Sequence, residues 1–272
     1  MIPSRIRYLR PLNAEEAVSA WRVNPGSRYL SGGTEISTTS RRSASYPVST
    51  LIDIKHIAEA RTLQIDGDML LLGSALPLSA IADSGHFPLL TATIKGIADR
   101  TTRNRLSLGG NIAGMLPYRE SVLPLLLADA HCTSMLQSPG LETPQLRAWR
   151  LRDRFNKRLL LEPGELILSF SVPLSFTTLP WSHGRKTRTG PIDYPLVTLC
   201  LVKDSSNFLL GLSGAHPYPL RSDEADDLLS RTEPVDVAIQ ALELAKTDHR
   251  ASDSYRTALL KTMLETAIKE LS

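Results

Sequence analysis

Two glycine pairs constrain this chain more than any other feature. Within Thr101 to Ala130, Gly109-Gly110-Asn111 stands between a basic-polar run and an apolar one. Glycine and asparagine are the residues best able to take positive φ or to let another backbone approach closely. A run of peptide N–H groups with no side-chain barrier forms a nest that binds anions, phosphates above all. The plain alternative is a turn between two structural elements, and the triplet by itself does not choose. After it, Glu120 or Ser121 starts a helix that buries Val122, Leu125, Leu126 and Ala128 on one face. The second pair lies upstream, in Arg28 to Ser37, where Gly32-Gly33 follows a short apolar lead-in and precedes a hydroxyl and a carboxylate, Thr34 and Glu35. Neither stretch is Gly-x-Gly-x-x-Gly before a long helix or Gly-x-x-x-x-Gly-Lys-Ser/Thr, so the dinucleotide fold and the P-loop are set aside.

The rest of the chain divides into three parts. In residues 1–57, Arg5 to Pro11 is strand-like. Asn13 then caps a helix, with Glu16 completing a capping box and Ala17, Val18, Ala20 and Trp21 on its apolar face. Arg28 to Leu30 and Leu51 to Ile54 read as strands, with an irregular polar segment from Ser37 to Tyr46 closed by Pro47. Residues 58–174 open with a hairpin, Arg61 to Ile65 and Met69 to Gly73, turned by Asp66-Gly67-Asp68. Pro77 and Pro88 suit the first position of helices, and Cys132 to Leu136 and Leu166 to Val172 read as strands, the latter stopped by Pro173. A linker from Ser175 to Ser182 leads to residues 183–272. There Arg185 to Thr187, Tyr194 to Lys203 and Asn207 to Ser213 form a three-stranded meander. Helices follow over Asp223 to Leu229 and Val235 to Ala245. A terminal helix starts at a cap, Asp253 or Ser254, and carries Tyr255, Leu259, Met263, Leu264, Ala267, Ile268 and Leu271 on one stripe.

Composition narrows the function classes. With 31 basic and 28 acidic residues the net charge is +3, too small to point to nucleic acid or an anionic membrane as the main partner. The local basic clusters, Arg41-Arg42, Arg103 with Arg105, Arg147 to Arg158 and Arg185-Lys186 with Arg188, read as solvated faces or as contacts to phosphate or an acidic partner. Cys132 and Cys200 stand alone, as reduced buried thiols do in a cytoplasmic protein. Six scattered histidines have no metal-ligand spacing, so no metal and no iron–sulfur cluster is expected. No apolar run approaches the roughly 20 residues that cross a bilayer. No residue stands out as a nucleophile or as half of a tuned acid–base pair.

Tyr-Leu-Ser-Gly-Gly-Thr-Glu-Ile, followed later by Arg-Asn-Arg-Leu-Ser-Leu-Gly-Gly-Asn-Ile-Ala, resembles the two flavin loops of the FAD-binding subunit of the molybdenum hydroxylases, the family of xanthine dehydrogenase and aerobic carbon monoxide dehydrogenase. Glu-Leu-Ile-Leu-Ser-Phe-Ser-Val-Pro resembles the strand that closes the flavin domain, and Ser-Asp-Ser-Tyr-Arg the start of the terminal helix in the carbon monoxide dehydrogenase branch. The resemblance implies an α+β fold in which two small α/β subdomains clasp FAD (a PCMH-like flavin fold), followed by a C-terminal three-stranded sheet with helices.

It also implies roles. Backbone N–H groups of Ser31, Gly32, Gly33 and Thr34, and of Gly110 and Asn111, would meet the pyrophosphate. Tyr29 and Leu30 fall beside the flavin and ribityl chain, Glu35 ends the first loop, and Ser107 and Gly114 match positions near the cofactor. Gly114 stands where others have Thr, Asn or Ser. Glu120 takes the place of an aspartate that holds the adenosine end, and Tyr118-Arg119 replaces small residues. Ile167 aligns with an apolar residue packed on the isoalloxazine. Lys186 aligns with a lysine that reaches the flavin face, where a cation favours hydride transfer and gives the residue a catalytic assignment. By the same resemblance the partners are a molybdenum-cofactor subunit and a [2Fe–2S] subunit, with NAD⁺ or another carrier as electron acceptor. A stand-alone flavoprotein of related fold, and a scaffold subunit that has lost FAD, remain as alternatives.

Overall fold

A computed structural model describes residues 6–42, 48–244 and 247–272. Arg5, the closing turn at Tyr46 and Pro47, the side chains of Arg41 and Arg42, and the expected helix end at Ala245 lie outside the described residues. Contacts group the chain into two compact units. One takes in the chain up to Ile81, Thr101–Gly114 and Ala130–Val172; the other takes in Ala82–Arg100, Met115–Asp129 and Pro173–Ser272.

In the first unit, β1 (Arg7–Leu9), β2 (Ser27–Leu30) and β3 (Thr50–Asp53) form a parallel sheet in the order β1-β3-β2. The Ala14–Val23 helix that connects β1 to β2 starts as its capping box dictates: Asn13 accepts the Glu16 N–H at 2.8 Å, and Glu16 accepts the Leu12 N–H at 2.9 Å. Its Ala14, Ala17 and Val18 pack with Ile52, Ile54, Ile57, Met135, Leu166 and Leu168 in one apolar cluster. Each such buried aliphatic larger than alanine stabilises the unit by about 1.5–3 kcal/mol. Residues 37–42 are helical, as the second half of Thr34–Arg42.

The second sheet of this unit holds β4 (Leu63–Asp66), β5 (Met69–Gly73), β6 (His131–Leu136), β7 (Gln145–Arg150) and, beyond the small ribbon of β8 (Phe155–Asn156) and β9 (Arg158–Leu159), β10 (Leu166–Pro173). Its order is β4-β5-β10-β6-β7. The hairpin turns at Gly67, where φ is +58°. Strand β7 lies at the sheet edge, with Leu146, Ala148 and Arg150 exposed on one face and Arg147 and Trp149 half-buried on the other.

In the second unit, β11 (Trp181–Thr187), β12 (Pro195–Asp204), β13 (Asn207–Ser213) and the two-residue β14 (Leu220–Arg221) form an antiparallel sheet in that order. The expected meander therefore gains a short fourth strand. The expected linker is largely structured, as a 3₁₀ turn over Leu174–Thr178 that leads through Leu179 and Pro180 into β11. Strand β12 is buried on both faces from Pro195 to Val202. Val197, Leu199 and Leu201 join Leu260, Met263 and Leu264 of the terminal helix in one apolar cluster, while Thr198 and Cys200 alternate with them and meet Glu120 and Thr93. That helix, Asp253–Leu271, is capped by Ser252, one residue earlier than expected. Tyr255 is accordingly 56% exposed, and fully buried Arg256 leads the inward stripe, its guanidinium donating to the Leu196 and Gly214 carbonyls and pairing with Asp248 at 2.7 Å.

Candidate functional site

The first glycine loop leaves β2 at Leu30, whose pairing partner is Asp53 at the end of β3. Gly33 has φ +70°, a conformation in which any side chain is strained, and it sets the chain into the nine-residue helix Thr34–Arg42. The N–H groups of a helix's first turn have no carbonyl within the helix to meet, and the helix dipole makes that end favourable for an anion. Beside them the Ser31 hydroxyl is buried without a hydrogen-bond partner among the described residues. The Ser31 carbonyl accepts Lys55 Nζ at 3.4 Å, and Lys55 also pairs with Asp53 at 2.7 Å. Burial pushes the Asp53 carboxyl up, but hydrogen bonds from Lys55 and Tyr8 outweigh it and hold the group below the usual carboxylate range.

The second glycine pair is not an open loop but the first turn of a short helix, Leu108–Ala113. Ser107 caps it, accepting the Gly110 N–H at 3.3 Å on its hydroxyl and the Asn111 N–H at 2.8 Å on its carbonyl. Gly109 donates to the Ser74 carbonyl at 2.8 Å, and a Cβ there would stand 2.7 Å from the Ser74 side chain. The two glycine stretches meet each other: a Cβ on Gly32 would lie 2.0 Å from the Arg105 carbonyl oxygen and 3.3 Å from the Ser107 nitrogen. Gly32 and Gly109 are thus required by backbone packing, which local sequence does not disclose. Gly110 and Thr34 remain exposed at the surface of this junction.

Residues 4–175 match the family described as the FAD binding domain in molybdopterin dehydrogenase. The chain belongs to that family. It is 27% identical to the carbon monoxide dehydrogenase medium chain of Hydrogenophaga pseudoflava, with 98% of this chain and 97% of the relative covered. It is 24% identical to the glyceraldehyde dehydrogenase medium chain of Sulfolobus acidocaldarius over 100% of both. A chain of quinoline 2-oxidoreductase from Pseudomonas putida 86 has the same fold, with a TM-score of 0.85 at 19% identity over 99% of this chain and 97% of that one. The protein is an FAD-binding oxidoreductase subunit of the molybdenum hydroxylase family, and the mixed helix-and-sheet fold is the one the resemblance implied.

For a member of this family the residues at the glycine junction must suit the dinucleotide, and they do. The Ser31 hydroxyl, without a partner among the described residues, and the helix start at Gly33-Thr34 are donors of the kind a pyrophosphate takes, and the exposed Gly110 leaves the facing turn without a side-chain barrier. Around it the other expected residues have varied surroundings. Leu30 is half-buried, its Cδ1 2.7 Å from where a Gly33 Cβ would stand. Tyr29 is turned to the protein interior: its hydroxyl donates to the Gly164 carbonyl at 2.8 Å, and burial pushes its pKa far up. The Glu35 carboxylate comes within 2.5 Å of where a Cβ on Gly114 would stand, so the missing side chain at Gly114 makes room for Glu35. Ile167 is buried on β10 beside a bulge, and its carbonyl accepts the Ser74 hydroxyl at 2.7 Å.

Glu120 and Lys186 belong to the second unit. Glu120 is 4% exposed and its Oε1 accepts Arg185 Nε at 2.8 Å and Thr198 Oγ1 at 2.6 Å. Lys186 is exposed on β11, facing the point where the ladder skips Leu196 of β12. Burial keeps both thiols protonated and the His183 imidazole neutral at neutral pH. Burial pushes Cys132 up, pushes Cys200 up to about 12 against the Thr93 hydrogen bond, and pushes His183 down to about 4, with Arg185 adding to the last shift. Sequence reasoning passed over Lys55, Asp53 and Ser74, which brace the two loops. Their only signal was position at the ends of strands β3 and β5.

Proposed function

We propose that this chain is the flavin subunit of a cytoplasmic complex with a [2Fe–2S] subunit and a molybdenum-cofactor subunit, and that electrons from the iron–sulfur clusters leave through it to NAD⁺ or another carrier. The observation that carries the reading is the junction of the two glycine stretches, where a buried hydroxyl without a partner among the described residues sits beside a helix start that favours an anion. Ser31 to Thr34 would hold the pyrophosphate from one side, while Gly110 and Asn111, whose N–H groups donate to Ser107, would let it approach from the other without a side-chain barrier at Gly110. Leu30 and Ile167 would pack on the flavin side and exclude water. FAD, when bound, supplies the hydride and electron chemistry, and the side chains described above hold, orient and tune it.

The medium-chain names of the two relatives support the complex. The test is purification from the native host. The expected protein is yellow, releases FAD and not FMN on denaturation, and co-purifies with molybdenum and iron. A colourless chain that fails to take up added FAD makes it a scaffold. A yellow chain free of both metals that oxidises NADH at enzyme-like rates makes it a stand-alone flavoenzyme.

A further inference from the structure

Within the first unit, the end of β3 is tied to the first glycine loop by a cluster of three side chains. Asp53, the ladder partner of Leu30, is 2% exposed. Its carboxylate accepts the Tyr8 hydroxyl from β1, the Lys55 backbone N–H at 2.9 Å and Lys55 Nζ at 2.7 Å. Lys55 Nζ also donates to the Ser31 carbonyl at 3.4 Å, and the lysine side chain is 43% exposed. One ammonium therefore bridges a buried carboxylate and the loop carbonyl that precedes Gly32. The Ile54 N–H donates to the Leu30 carbonyl at 3.0 Å, so the backbone is pinned on both sides of that bridge. In a trans peptide the C=O and the following N–H point in opposite directions, so drawing the Ser31 carbonyl toward Lys55 turns the Gly32 N–H away from it. A carboxylate beside an anion-binding loop also repels the anion, and the ammonium offsets that charge.

We infer that Lys55 is a positioning residue for the cofactor: it sets the Ser31–Gly32 peptide and offsets the Asp53 charge, and so prepares the loop for the FAD pyrophosphate. The inference rests on the proposal that Ser31 to Thr34 hold the pyrophosphate. A half-exposed lysine ordinarily adds little to stability, because solvent screens its ion pair. Without the ammonium, Asp53 keeps the Tyr8 hydroxyl and the Lys55 N–H, so the fold loses little while the loop meets an unshielded carboxylate.

The experiment measures the Kd of FAD for the stripped full-length chain by fluorescence titration, together with the urea midpoint of the same samples. The variants are Lys55→Met, Lys55→Arg, the double variant Asp53→Asn/Lys55→Met, which carries no lone charge should Lys55→Met fold poorly, and Gly110→Val as a control on the cradle. Lys55→Met is expected to weaken FAD by about tenfold or more, as the loss of a hydrogen bond from a charged group does, with a urea midpoint near that of the parent. Lys55→Arg is expected to regain most of that affinity. The double variant is expected to bind more tightly than Lys55→Met, because the repelling carboxylate is gone. Parent affinity in Lys55→Met with FAD lost in Gly110→Val overturns the inference and leaves the cradle standing. Parent affinity in both overturns the cradle and this inference with it. A double variant as weak as Lys55→Met makes Lys55 a direct ligand of the phosphates and overturns the positioning role. A fall in affinity matched by a fall in urea midpoint, with no recovery in Lys55→Arg, makes the lysine a structural residue and overturns it too.

Discussion

The loop Ser31–Thr34 in the first unit and the segment Tyr118–Ser121 in the second both turn the chain into a helix, yet their polar groups end differently. In the first, a buried hydroxyl has no partner among the described residues and a glycine holds φ at +70°. In the second, Glu120 accepts from Arg185 and Thr198, and the Tyr118 carbonyl accepts the Ser213 hydroxyl at 2.6 Å. Leaving a buried polar group unpaired costs on the order of 1–3 kcal/mol, so a fold retains such a group where something else completes it. A satisfied carboxylate has little left to give a ligand. The contrast separates a loop with an unmet hydroxyl from a segment whose polar groups are met within the fold.

The sharpest break of this contrast is Glu120→Ala. Removing one partner of a buried ion pair destabilises by about 3–5 kcal/mol, because the remaining charge stays buried. Urea unfolding of the variant is expected to show that loss, and a loss within about 1 kcal/mol would mean that Arg185 does not depend on Glu120. Next in size are the glycines of the binding junction. Gly32→Val drives a side chain into the Arg105 carbonyl and is expected to destabilise by about 1–3 kcal/mol while abolishing FAD uptake. Gly110→Val meets only the Ser107 hydroxyl, at 2.7 Å from the Cβ, and is expected to lose FAD with the fold nearly intact. Unchanged FAD occupancy in either variant would displace the cradle from this junction.

A pH titration sharpens the comparison through one carboxylate of each unit. In the second unit, burial raises Asp226 from 3.8 to about 6 against hydrogen bonds from the Leu210 N–H and Arg221. Between those values the folded chain binds a proton that the unfolded chain does not, so stability falls as pH rises from 3.8 to about 6. The expected change is on the order of 1–3 kcal/mol, since each pH unit that separates the folded and unfolded pKa is worth about 1.36 kcal/mol. Asp53 in the first unit is shifted down, so its contribution holds above the usual carboxylate pKa and is lost as pH falls below it. Denaturant midpoints followed from about pH 4 to 7 are expected to show a weaker fall in Asp226→Asn than in the parent chain; an equal fall would assign the slope to other groups. The smallest effect is that of Ser31→Ala, in which an orphaned hydroxyl is removed. Stability is expected to stay level or rise slightly, and FAD to bind more weakly by about 0.5–1.5 kcal/mol, read by fluorescence titration. Equal affinity would leave the hydroxyl without a role at the cofactor.

What the chain alone determined is local or periodic in nature. The Asn13/Glu16 capping box, the Asp66-Gly67 turn, the alternation in β10 and the two glycine stretches with their flanks are each written within a few neighbouring residues, since caps, turns and pleats act over that range. Those stretches sufficed to point to the flavin family. Tertiary structure decided how the same residues are used. Gly32 is needed because Arg105 of the other stretch lies against it, the terminal helix is led inward by Arg256 once Ser252 takes the cap, and Glu120 faces Arg185, 65 residues away along the chain. A close backbone approach or a buried charge pair depends on which segments the fold brings together, and that is set by the packing of the two apolar cores and not by any short stretch of sequence.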